Sequence, residues 1–236
     1  MVDFSPVFSS NNESVIFSCG LLLAANQEAS AIALCDQIAK NNPNKLKFIL
    51  NKVTHPPYVR LYETVLPSKN IPLALDRLEK ISADMIPFQM DWGMIEQTNH
   101  FVAIWGELND TLKVFHQAVL IDINNLREGD FKEKYIEDEN NHAFSEKEDE
   151  SFRKWGSPWV DPYIPHMVVA KAEPVFDVKK TTLEWKFKHC LFRGLLIGIR
   201  SEHGDFTHSY QINFKQPTQT EIDIPELSVS SVLSLK

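Results

Sequence analysis

The chain has 236 residues, with 43% hydrophobic and 24% charged, the balance of an ordinary globular protein able to build a core of normal size in one large domain or two small ones. Its 32 acidic and 24 basic residues give a net charge of −8, and no basic face of the kind that grips duplex nucleic acid is visible. No run reaches the roughly 18–20 apolar residues of a membrane helix, so a span across a bilayer is not expected.

In chain order, residues 1–13 are rich in Ser and Asn and are expected to be flexible. A strand follows over 15–25. Its apolar stretch Gly20-Leu21-Leu22-Leu23-Ala24-Ala25 is short and has no basic cluster before it, so it reads as buried strand and not as a signal peptide. Residues 28–40 form a helix with Ala31, Leu34, Cys35 and Ile38 on one stripe, and Asn41-Asn42-Pro43-Asn44 ends it. Pro56-Pro57 leads into a second long strand, 58–66. A helix over 70–83 carries Ile71, Ala74, Leu75, Leu78 and Ile81 at helical spacing, with Asn70 as its expected cap and Pro72 in the first turn. Two strands, 88–95 and 100–106, precede a third helix capped by Asp110, whose buried stripe is Leu112, Phe115, Val119 and Ile123.

The stretch 127–157 turns polar and charged and reads as a surface insertion, partly helical or mobile. Three strands close the domain: 164–172, 183–200 with a break expected near Gly194, and 206–214. The tail, 216–236, has no firm period. The order β-α-β-α-β-β-α followed by three strands specifies an α+β fold. Cys19, Cys35 and Cys190 are odd in number, widely spaced and each inside an apolar run, so they are expected to be buried free thiols, in keeping with a reducing cytoplasm.

Both halves hold a strand entered through proline: Pro57-Tyr58-Val59-Arg60-Leu61 and Pro165-His166-Met167-Val168-Val169-Ala170. On these two segments, and on the element order over 14–215, the chain resembles the 2H phosphoesterase superfamily, which includes 2′-5′ RNA ligase-like proteins and cyclic phosphodiesterases. The resemblance implies two pseudo-symmetric lobes of antiparallel or mixed sheet, helices outside and a central groove, each lobe giving one His-x-Thr/Ser motif. It places His166 at the second His. Tyr58 stands where the family has its first His, Arg60 where it has the first hydroxyl, and Val168 where it has the second.

Residues i and i+2 of a strand share a face, so Tyr58 with Arg60, and His166 with Val168, point the same way. Two imidazoles would take a proton on one side of the phosphate and give one on the other. With one histidine, only one side is served. Tyr, with an ordinary pKa near 10, is a poor base and a possible acid or hydrogen-bond donor. Arg60 is a strong phosphate ligand and no base. His166 and Tyr58 are therefore the candidate catalytic pair and Arg60 the candidate phosphate ligand. The ligand class implied is a nucleotide, cyclic phosphate or RNA end, with weak or no turnover and no cofactor or metal.

Alternatives stay open from the residues alone. An active cyclic phosphodiesterase would pair His166 with Tyr58 or with His100, whose His100-Phe101-Val102 also places His two before Val. A non-enzymatic interaction module would use the same scaffold. If Tyr58 and Arg60 merely sit on a solvated strand face, Tyr62 extends that face. His55, in Thr54-His55-Pro56-Pro57, is either a solvated loop residue or a displaced groove imidazole. His203, Asp205 and His208 read as a polar hairpin, and Trp155, Trp159 and Tyr163 as rim aromatics before the second motif. Walker, GxGxxG, GxSxG and HExxH motifs are missing.

Overall fold

The computed structural model describes residues 13–43, 45–97, 101–129, 144–171, 185–202 and 204–216. The flexible N-terminus expected over 1–13 lies, but for Glu13, outside these residues, as do His100, His203 and the tail beyond Gln216.

The elements follow the expected order. Strand β1 (Ser14–Leu23) leads to helix α1 (Ala25–Asn41), then β2 (Tyr58–Pro67), a 3₁₀ turn (Ser68–Asn70) and α2 (Ile71–Ser82). Strands β3 (Phe88–Gln97) and β4 (Phe101–Gly106), helices α3 (Asp110–Asn124) and α4 (Glu146–Trp155), and strands β5 (His166–Lys171), β6 (His189–Arg200) and β7 (Phe206–Asn213) complete it. All described strand pairs are antiparallel, in one sheet of order β2-β1-β6-β3-β4-β5, with β7 on β6.

Strand β6 joins two lobes. Its run from Phe192 to Arg200 pairs with β1 and, from Gly194, with β7 on its other side. Its first residues pair instead with β3, Phe88 opposite Phe192 and Asp91 opposite His189. One lobe is thus β2-β1-β6-β7 and the other β3-β4-β5. The strands at the two ends of the order, β2 and β5, approach each other. These are the two strands that begin at the proline-led segments.

The expected helix stripes face the core, Leu75 and Ile81 of α2 being only partly buried. Ala31, Leu34, Cys35 and Ile38 of α1, and Leu112, Phe115, Val119 and Ile123 of α3, are all buried in one core. Cys19, Cys35 and Cys190 are free and buried. No helix among the described residues is long and apolar enough to cross a membrane.

Three local expectations are corrected. Asn109, not Asp110, caps α3: its side chain accepts from the Leu112 amide at 2.9 Å. Asn70 makes no cap bond. Its amide donates to the Leu126 carbonyl at 2.7 Å, and the preceding 3₁₀ turn starts α2 in its place. Strand β6 is continuous through Gly194, which pairs with Leu22 on one side and Asn213 on the other, and the irregularity expected there is a slip of the β1 ladder that leaves Arg193 as an extra residue. A Cβ at that position would lie 2.2 Å from the Ile212 carbonyl oxygen, so glycine there admits the close approach of β7. The polar stretch 127–157, expected to be partly helical, does hold a helix: α4 is set by a full capping box between Ser145 and Glu148 with Phe152 in the interior, Arg127 and Ser157 at its ends are buried, and residues 130–143 lie outside the described residues.

Candidate groove between the two motif strands

In β2, Tyr58 and Arg60 are partly exposed on one face while Val59 and Leu61 are 0% and 1% exposed on the other. The alternation then slips. Gly20 of β1 pairs with Arg60 but Cys19 pairs with Tyr62, so Leu61 is an extra residue, a β-bulge. One inserted residue inverts which face every later side chain occupies. Tyr62 therefore does not extend the Tyr58–Arg60 face as expected from simple alternation. It is fully buried, and its hydroxyl bonds Asn124 at 3.0 Å and the Trp155 carbonyl. Glu63 takes the place next to Arg60.

That swap builds a charged cluster. Glu63, 3% exposed, lies 3.7 Å from Arg60 and 2.5 Å from Arg200 of β6. Two guanidiniums flank one carboxylate, so this face carries local positive charge in an acidic protein. The Tyr58 ring lies over Gly20, where a Cβ would come within 2.4 Å of it. Its hydroxyl reaches Ser18 at 3.3 Å and Arg200 at 3.4 Å, and its ring meets Phe206 edge-on at 5.5 Å.

Strand β5 repeats the plan. His166 pairs with Trp105 and Val168 with Ala103, but Val102 pairs with Ala170, so Val169 is the extra residue. The bulge falls three positions after His166, as the bulge at Leu61 falls three after Tyr58. The two strands are thus equivalent position by position, Tyr58 with His166 and Arg60 with Val168. Lys171 shares the His166–Val168 face, corresponding to Glu63.

The His166 Nδ1 lies 2.9 Å from the Ile164 carbonyl. A carbonyl only accepts, so Nδ1 carries the proton and the neutral ring keeps its lone pair on Nε2. The imidazole packs 4.9 Å from the Trp105 ring. Its pKa lies below the ordinary value: burial is the main cause, the Ile164 bond opposes it, and the charge of Arg60 adds to it. Arg60 and His166 therefore feel one another across the gap between β2 and β5. Among the described residues, the contacts of Tyr58 run within its own lobe and none reaches His166.

His55 is not a solvated loop residue. It stacks on Phe48 at 4.9 Å, pairs with Asp205 at 3.2 Å, and its Nε2 is buried without a hydrogen-bond partner. Burial lowers its pKa, Asp205 opposes this and Arg200 reinforces it. His208 bonds its neighbour Thr207 at 3.3 Å, so His55 and His208 hold separate parts of the hairpin. The rim aromatics are partnered: Trp155 Nε1 with Asp161 and Trp159 Nε1 with Glu148. The third rim aromatic, Tyr163, and His116, to which the sequence assigned no role, meet the motif backbone. Tyr163 donates its hydroxyl to the Arg60 carbonyl at 2.8 Å, and it stacks at 3.8 Å on His116 of α3. The position of His116, four after Leu112 on the buried stripe, was a usable signal.

No family model and no curated relative matches the chain in sequence. In structure, it is similar to TT0787, a protein of Thermus thermophilus, at 11% identity and a TM-score of 0.54, covering 85% of this chain and 99% of that one. It is also matched with E. coli LigT in its apo form, at 10% identity and a TM-score of 0.43, over 86% of this chain and 96% of that one. The likeness to the Thermus protein is one of fold, and the two-lobed α+β arrangement expected from the 2H resemblance is the arrangement observed.

Proposed function

We propose that this chain, built on a 2H phosphoesterase-type fold, binds a phosphate-containing ligand in the groove between β2 and β5, with little or no turnover. The ligand class is a nucleotide, a cyclic phosphate or an RNA end. The observation that carries the reading is that Arg60 and His166 lie on the matching faces of two motif strands that approach each other, with the Arg60 charge holding the His166 pKa down. Arg60 supplies a permanent charge and a planar set of donors suited to phosphate oxygens. His166, neutral with its lone pair on Nε2, can accept a hydrogen bond or a proton from a hydroxyl beside the phosphate.

The same geometry argues for weak chemistry. In-line displacement needs a base on one side of the phosphorus and an acid on the other. Tyr58 stands at the acid's place, but its hydroxyl is engaged by Ser18 and Arg200. Val168 offers nothing to a non-bridging oxygen. The buried thiols accord with a reducing compartment, and the cytoplasm is the proposed site of action.

Calorimetric titration with 2′,3′-cyclic AMP, alongside chromatography of the products, tests both parts. Arg60→Ala is expected to weaken binding about 10- to 100-fold, the cost of one charge-assisted contact. Turnover by the native chain is expected to be no faster than by His166→Ala. Binding that ignores Arg60→Ala refutes the site, and turnover well above His166→Ala refutes the weak-activity half.

A further inference from the structure

The bulge at Leu61 sits between the groove face and the core, and a bulge takes its residues out of the regular ladder. Both residues at this point are met from later in the chain. Tyr163, three positions before His166, donates its hydroxyl to the Arg60 carbonyl at 2.8 Å. The Leu61 backbone lies by the His116 ring and opposes the fall of its pKa. The two rings stack on each other, 3.8 Å apart and 13° from parallel. His116 is 4% exposed, and Tyr163 is tied further by a bridge to Val160. The clasp therefore runs from α3 and the lead-in to β5 onto the β2 backbone, at the residue whose side chain enters the groove.

We infer that Tyr163, backed by His116, is a positioning residue that fixes Arg60 relative to His166 and so sets the span over which the two grip one phosphate. The inference rests on the phosphate-groove reading. Tyr163 touches no ligand itself and acts through the carbonyl it holds. Its hydroxyl is the part of the side chain that bonds β2, so Tyr163→Phe removes the clasp and keeps the stacked ring.

The test is a proton NMR titration of the His166 ring in the native chain, Arg60→Ala, Tyr163→Phe and the double variant, with thermal unfolding to verify the fold. Arg60→Ala is expected to raise the His166 midpoint by removing a nearby positive charge. Tyr163→Phe is expected to raise it in the same direction, and to add nothing once Arg60 is gone. A purely structural tyrosine would lower stability and leave the midpoint where it was, which overturns the inference. So does an Arg60→Ala midpoint equal to the native one. In parallel, 2′,3′-cyclic AMP affinity should fall about fivefold in Tyr163→Phe, the effect of one lost hydrogen bond. If Arg60→Ala shifts the midpoint but not the affinity, the phosphate reading fails while the positioning role is still decided by the titration.

Discussion

Acid should unfold this protein partly through one histidine. Burial pushes the His116 pKa from 6.5 down to about 4, and the Leu61 backbone and the charge of Asp161 recover only part of the loss. The folded-state pKa is thus the lower of the two, and the unfolded chain takes up the proton first. Stability then rises with pH in this window, and is lost as pH falls from 6.5 toward 4. A gap of about two and a half pH units, at roughly 1.4 kcal/mol each, gives about 3 kcal/mol. That is a large part of the ~5–15 kcal/mol that holds a typical domain together.

The perturbation is His116→Phe, which keeps a flat ring on Tyr163, does not titrate, and gives up the polar contact with the Leu61 backbone. Near neutral pH the variant should be weaker by about 1 kcal/mol, the scale of one polar contact. Near pH 4 it should be stronger than the native chain by about 2 kcal/mol, once the protonation cost is absent. Urea unfolding, followed by tryptophan fluorescence at several pH values, measures both curves. His55, His166 and the carboxylates are common to the two proteins and cancel in the difference. The curves should cross between the two extremes. Parallel curves would mean that His116 accepts a proton in the folded state as readily as in the unfolded one, and the burial argument would be wrong.

Two further outcomes follow from the groove geometry. Gly20→Ala would put a Cβ 2.4 Å from the Tyr58 ring and 2.5 Å from the Val59 carbonyl oxygen, and chemical denaturation should show a loss of about 1–3 kcal/mol, the usual cost of overpacking. Tyr58→His combined with Val168→Thr places an imidazole at the position equivalent to His166 and a hydroxyl two residues after His166 on its own face. Cyclic-nucleotide hydrolysis should then rise on the order of 100-fold, the lower range of general acid–base catalysis. No gain in a folded double variant would show that positions 58 and 166 do not flank one phosphate.

The elements were legible because each carries its own period. The stripes of α1 and α3 recur every three to four residues, and those same residues are buried. The capping box Ser145-Glu146-Lys147-Glu148 marks where the polar stretch, expected to be partly helical, forms its helix. What stayed hidden depends on register or on distant chain. Nothing local in Arg60-Leu61-Tyr62-Glu63 announces an inserted residue, so the sequence pattern sends Tyr62 to the groove and Glu63 to the core, the reverse of the outcome. The pairing of Glu63 with Arg200 joins residues 137 positions apart, and that of Tyr163 with Arg60 residues 103 apart. Periodicity carries no information over such spans.

The two bulges also explain why a resemblance survives in the backbone where it thins in the side chains. A bulge after the third motif position lets positions 58, 60 and 63 share one face while 59 and 62 turn inward, and 166, 168 and 171 share one face while 167 and 170 turn inward. That requirement is geometric and indifferent to whether the first position is Tyr or His. It brings two short rows of side chains toward each other from β2 and β5. Catalysis demands that both rows carry proton-transferring groups, whereas binding demands only that one row carries charge and the other a hydrogen-bonding partner. Arg60 and His166 meet the second demand, and Val168 with an engaged Tyr58 fails the first. The frame is therefore symmetric and the side chains on it one-sided, which is the ground for proposing a groove that holds a phosphate better than it cleaves one.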